Sequence, residues 1–185
     1  MPKTLSNYPT FGDFAAKFTP DNWERGGREP VKCVQCGSPT LTDVNIAYGN
    51  GSSVKWLMAQ LAVFQERLNV PNKMSVIEIE TCAQVIHECY YYLKTTELML
   101  FFARLLGGMF SVDWHGYVTP GKLVGVLREQ FMPWRSKMLH EIEERERKAK
   151  DEADALTPKV TWEEYCKMHG IEGRPSPFDR LNSKK

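Results

Sequence analysis

Between Tyr90 and Phe110 the chain reads YYYLKTTELMLFFARLLGGMF, and this stretch decides how the rest is read. Its length and aromatic content suggest a membrane span, which needs about 20 mainly apolar residues. Lys94, Glu97 and Arg104 are spread through it, however, and each would sit at hydrocarbon depth at a cost of a few kcal/mol. A buried helix fits better. Plotted at helical spacing, Ile86, Tyr90, Leu93, Leu100 and Phe101 share one face, while Tyr91, Leu98 and Phe102 lie opposite. A helix apolar nearly all round has neighbours on several sides. Ser75 followed by Glu78 is a capping-box start, and Gly107-Gly108 supplies the stop. These signals predict one central helix of roughly 30 residues, long by base rates, with a bend near Thr95-Thr96.

The remaining chain supplies partners for such a helix. Hydrophobic residues make up 42% of the 185, enough for a core and against wholesale disorder. Residues 53–68 place Val54, Leu57, Leu61, Phe64 and Leu68 on one face, with Ser53 as the expected cap. Thr119-Pro120 starts another helix, carrying Leu123, Leu127, Phe131 and Trp134, which Pro133 should kink or break. Residues 135–155 are helix-forming and heavily charged, and their apolar face ends at Ile142. Thr161 and Glu164 open a short last helix closed by Gly170, before a tail expected to be mobile. The Pro- and Gly-rich residues 1–52 read as irregular apart from short helical turns, one capped by Thr10, and the loose alternation of MFSVDWHGYVTP allows a minor hairpin. The expected fold is all-α: a helical bundle around one long central helix. Its organisation is an irregular segment over 1–52, a helical core over 53–150, and a short helix with a tail over 151–185.

Charge and composition restrict the function. The net charge of +1 excludes an all-over basic coat for nucleic acid. Five irregularly placed cysteines do not form a disulfide framework, and MPKTLSNYPTFGDF has no apolar signal core, so a cytoplasmic setting is expected. The sharpest local motif is Cys33-Val-Gln-Cys36-Gly37, the shape of a zinc knuckle. Cys166 and His169, three apart on a helix, would complete a Cys3His site. The plainer reading is ordinary thiols and no cofactor. His87, His115, His140 and His169 form no metalloprotease pattern, and no phosphate loop, dinucleotide fingerprint or serine elbow is present, which points away from an enzyme. Lys94, Glu97 and Arg104 are expected as buried polar residues, with Glu97 in a structural ion pair to Lys94 or Arg104. The run Tyr90–Tyr92 faces three directions and cannot form one stacking platform; core packing is expected there.

The pattern Tyr90-x-x-Leu93-Lys94-x-x-Glu97-Leu98-x-x-Phe101-Phe102-x-Arg104, then a Gly-Phe turn and VLREQFMPWR, resembles a family of small uncharacterised helical proteins of Bacteroidales phages and mobile elements. The resemblance covers roughly residues 40–145, and the turn here is a looser version of the family's. It implies a setting in DNA replication or transfer and, by analogy with helicase loaders, a non-enzymatic adaptor that binds a replication or transfer protein. The expected contact surface is helix 135–155 with the aromatic turn 110–117. Two alternatives are direct nucleic-acid binding through Arg25, Arg28 and Lys32 around a zinc knuckle, and a small metal-dependent enzyme.

Overall fold

The computed structural model describes residues 3–156 and 161–171, with all their side chains except those of 24–26. The terminal stretch RPSPFDRLNSKK lies outside them. The architecture is all-α. Helices α1 (Lys3–Asn7), α2 (Phe11–Lys17), α3 (Trp23–Arg28), α4 (Pro30–Gln35), α5 (Leu41–Tyr48), α6 (Ser52–Arg67), α7 (Val76–Tyr90), α8 (Thr95–Leu106) and α9 (Pro120–Val126) are followed by a π-helical turn (Leu127–Phe131), then α10 (Met132–Leu156) and α11 (Trp162–His169). Among the described residues there is no strand, only the isolated bridges Thr40–Lys94 and Asn72–Tyr117. None of the described helices is long and apolar enough to cross a membrane.

Two compact units result, Met1–Ile142 and Glu143–Lys185. In the first, Phe64 of α6, Phe101 and Phe102 of α8, and Phe131 of the π turn are fully buried. Their rings meet edge to face or tilted, at centroid separations of 5.3 Å for Phe64–Phe102 and 5.4 Å for Phe101–Phe131. The second unit contains the charged end of α10 and α11, whose start is the expected Thr161–Glu164 capping box.

The N-terminal region departs from expectation. Residues 1–52 are mostly helical, and Phe14, Phe18 and Trp23 belong to the main core. Trp23 stacks on Phe102 at 5.1 Å and donates from Nε1 to Gln60 Oε1 at 2.7 Å, while Gln60 Nε2 and Trp56 Nε1 both donate to the Phe18 carbonyl. There is thus no boundary at residue 52, and the division expected at 150 falls after Ile142. Ser53 is not a cap either. Gly51 takes that place with φ 84°, and Ser53 lies buried inside α6, donating its backbone N–H to Asn45 and contacting His87 Nδ1 at 3.0 Å.

The central helix is two helices. The capping box Ser75–Glu78 starts α7 as expected, but the helix stops at Tyr90 and α8 begins at Thr95, close to the anticipated bend. The break is made by the segment before α5. The Thr95 N–H donates to Pro39 O (2.9 Å), and the carbonyls of Leu93 and Tyr91 accept from the N–H groups of Leu41 and Thr42 (3.1 Å each). A helix N-terminus leaves its first N–H groups without partners. Here the opened carbonyls of 91 and 93 fill that need for α5. Of the tyrosine run, only Tyr90 enters the core; Tyr91 and Tyr92, in the break, are exposed.

Two further segments are shaped by local contacts. Pro133 does not end its helix. The π turn just before it re-registers the backbone bonds, with Met132 N–H reaching Leu127 O, so the missing proline N–H is absorbed and α10 continues. The hairpin does not form, because residues 116–118 pair with Asn72 instead: Asn72 N–H donates to Gly116 O and Val118 N–H to Asn72 O. His115 (φ 45°) and Gly116 (φ 79°) turn the chain, and Phe110 and Val118 point into the core.

Phe101 has no exposed surface and touches the rings of Phe102, Phe110 and Phe131. Phe101→Ala should cost roughly 3–5 kcal/mol, read as a fall in the urea midpoint. A midpoint that barely moves would contradict this packing.

Candidate functional site

Of the polar residues singled out from the sequence, Cys33, Cys36, Lys94 and Glu97 meet where α4 abuts the first turn of α8. Helix α4 starts at Pro30, and Cys33 lies inside it, so the C-x-x-C is not on a knuckle turn. A helix C-terminus leaves carbonyls exposed and attracts cations. Lys94 answers both needs: its ammonium donates to Val34 O (2.5 Å) and Cys36 O (2.9 Å). Thr96 Oγ1 donates to Cys33 O at 2.7 Å. Glu97 is fully buried. Its Oε2 accepts the Lys94 backbone N–H at 2.9 Å, closing a capping box on α8, and its Oε1 accepts from Arg135 Nε at 2.7 Å. The expected ion pair therefore exists with a different partner: Arg135 of α10, not Lys94 or Arg104. Arg104 lies over the ring of Trp134, its Cζ 4.0 Å from the centroid.

The Cys36 thiol sits among hydroxyls, 3.4 Å from Ser38 Oγ and 3.3 Å from Thr96 Oγ1. Burial raises its pKa, but hydrogen bonds with Ser38 and Thr96 and the nearby Lys94 charge outweigh that and hold it below the ordinary thiol value. Cys33 goes the other way. Burial, then Cys36, Glu29 and Glu97, push it up to about 11. Cys36 and Thr96 open onto a cavity of about 230 Å³ that Lys17, Asn22, Glu29 and Lys32 also line. Lys32 is paired with Glu29 at 2.6 Å.

Of the candidate zinc ligands, Cys33 and Cys36 belong to the first unit and Cys166 and His169 to the second; among the described residues no group of three or more His, Cys, Asp or Glu is placed to hold a metal ion. The Cys36 thiol faces Ser38 and Thr96, and the His169 ring packs on Tyr165 at 4.4 Å. All four side chains are described, and Cys33, Cys36 and Cys166 are not in disulfides.

Sequence reasoning missed a second polar cluster, Asn45–Ser53–His87, which joins α5, α6 and α7. A Ser–His contact suggests a nucleophile and its base. Ser53 has no exposed surface, so this contact holds helices together. Arg135 was also missed. Its only signal was its place beside Trp134, before the apolar face of the helix runs out.

Two measurements follow. Removing one partner of a buried ion pair leaves the other uncompensated, so Glu97→Ala should destabilise by about 3–5 kcal/mol. A double-mutant cycle with Arg135→Ala should show coupling between the two; additive effects would refute the pairing. Alkylation followed from pH 7 to 11 should label Cys36 ahead of Cys33, because Cys36 is held below the ordinary thiol range and Cys33 titrates near 11. The reverse order would contradict the hydroxyl and lysine environment of Cys36.

No family model, curated protein or solved structure matches this chain.

Proposed function

We propose that the chain is a non-enzymatic helical binding protein, an adaptor that docks onto a DNA replication or transfer protein of a phage or mobile element. The observation that carries this reading is α10 beyond Ile142. Residues 145–156 are exposed throughout and the helix continues to Leu156. A helix without an apolar stripe is not held by core packing and is available to a partner. Its charges are of both signs: Glu143, Glu144, Glu146, Asp151, Glu152 and Asp154 against Arg145, Arg147, Lys148 and Lys150. Such a surface matches a protein of complementary pattern better than a phosphate backbone, which selects for basic residues alone.

The polar seam supports the same reading. Lys94, Thr96 and Glu97 are engaged with helix ends and Arg135, an arrangement that builds a scaffold. The aromatic turn contributes less surface than expected. Phe110 is buried and Trp114 packs on Phe64 at 6.2 Å, leaving Met109 and Tyr117 exposed. The setting in replication or transfer rests on the sequence resemblance.

The test is affinity capture from a native host. The intact chain should retain a replication or transfer protein. A variant ending at Ile142 should lose it while keeping its helical circular dichroism and its urea midpoint. Salt-dependent DNA binding by the purified chain, with no such protein retained, would instead favour direct nucleic-acid recognition.

A further inference from the structure

Helices α3 and α8 cross at two small residues. A Cβ placed on Gly27 would lie 3.3 Å from Ala103 Cβ, so the pair sets the closeness of the crossing. Beside it opens a cavity of about 560 Å³, within the size range of small-ligand sites. Arg28, Arg67 and Arg104 line it, with Trp23, Leu106 and Met109 as apolar wall. Among the described residues no carboxylate lines it.

The three guanidinium groups differ in how they are held. Arg67 lies 5.0 Å over the Trp23 ring and donates to Pro20 O and to Asp21 Oδ1, the latter at 3.0 Å. Asp21 is mostly exposed, which weakens its neutralising effect. Arg104 is stacked on Trp134, and its Nε is buried with no hydrogen-bond partner among the described residues. Burial without compensation also lowers the Arg104 pKa. A buried donor left without a partner is costly, and native structures seldom keep one without a reason. Arg28 is exposed at the rim.

We infer that this cavity is an oxyanion site that takes a phosphate-bearing ligand. Guanidinium planes already stacked on indoles lose little freedom on binding and present paired N–H donors that match phosphate oxygens. Among the described side chains, three cations against one exposed carboxylate leave an excess of positive charge. That excess suits a multiply charged phosphate better than a single carboxylate. Leu106 and the exposed Met109 offer apolar surface to the rest of the ligand. The site stands on geometry separate from α10 beyond Ile142, so it holds or fails independently of the adaptor reading.

Titration calorimetry of the intact chain with inorganic pyrophosphate tests it, with tryptophan fluorescence as a second readout because Trp23 and Trp134 carry the two stacked arginines. Saturable one-site binding is expected, weakened by roughly tenfold or more in Arg28→Gln and in Arg104→Gln, the loss of one charge-assisted contact. Arg28 is exposed, so R28Q keeps the test informative even if Arg104→Gln fails to fold. Succinate should bind at least about tenfold more weakly than pyrophosphate. ATP binding tighter than pyrophosphate would assign a nucleotide, and equal affinity would assign the phosphate group alone; both support the site. Absence of saturable pyrophosphate binding, unchanged affinity in R28Q, or succinate binding as tight as pyrophosphate would overturn it.

Discussion

A carboxylate removed from water is tolerated only when its oxygens find donors, because the charge otherwise carries its whole desolvation cost. Glu97 meets this condition with one oxygen on the backbone of its own helix start and the other on Arg135. The consequence reaches well beyond one ion pair. By fixing the first turn of α8, Glu97 also fixes where Lys94 and Thr96 stand, and these two hold the end of α4. The same break that makes room for the cap opens the carbonyls that receive α5. Helices from the first 50 residues, the middle of the chain and α10 are therefore joined through one short seam. The seam lies against the aromatic core, in surroundings where each polar contact is strengthened by low dielectric.

How much of this can be read from residues alone follows from how local each determinant is. The caps Thr10, Ser75, Thr119 and Thr161 act within three residues of themselves, and each stands where its sequence pattern indicates. The apolar helix around Phe101 is equally legible, since its periodicity is carried by its own side chains. The break at 91–94 is not, because helical periodicity runs unbroken through it. Its cause lies about 50 positions upstream, in the backbone of residues 39–42. The helices of the N-terminal region escape notice for a different reason. At five to eight residues they hold at most about two turns, too short for a period to show, and isolated helices of that length are held by packing.

The polar residues show the same division. That Lys94, Glu97 and Arg104 would be drawn inward is evident from their apolar neighbours. Their partners are not, because Arg135 is 38 positions away from Glu97 and is reached only after α9 and the π turn have brought the chain back. Arg104 has the opposite fate from Glu97. It is stacked rather than paired, and Arg28 and Arg67 come to its neighbourhood from helices that sequence spacing does not relate to it. The C-x-x-C shows how a motif changes meaning with its backbone. The spacing that would present two sulfurs from a tight turn instead sends one into a helix and the other out at its end.

The π turn at Leu127–Phe131 sets the phase of everything after it. Each residue advances a helix by about 100°, so one residue more or fewer rotates the downstream side chains by that angle. With the turn in place, Phe131 remains in the core and Arg135, Met138 and Ile142 face inward on successive turns. Deleting a single residue there would favour a regular helix of good propensity, and its backbone would be the more comfortable. It would also swing Arg135 about a quarter-turn away from the carboxylate it neutralises. The widened turn thus acts as a mechanical offset: a local irregularity in hydrogen bonding is what keeps two distant charges aligned, and a smoother helix would be a worse one.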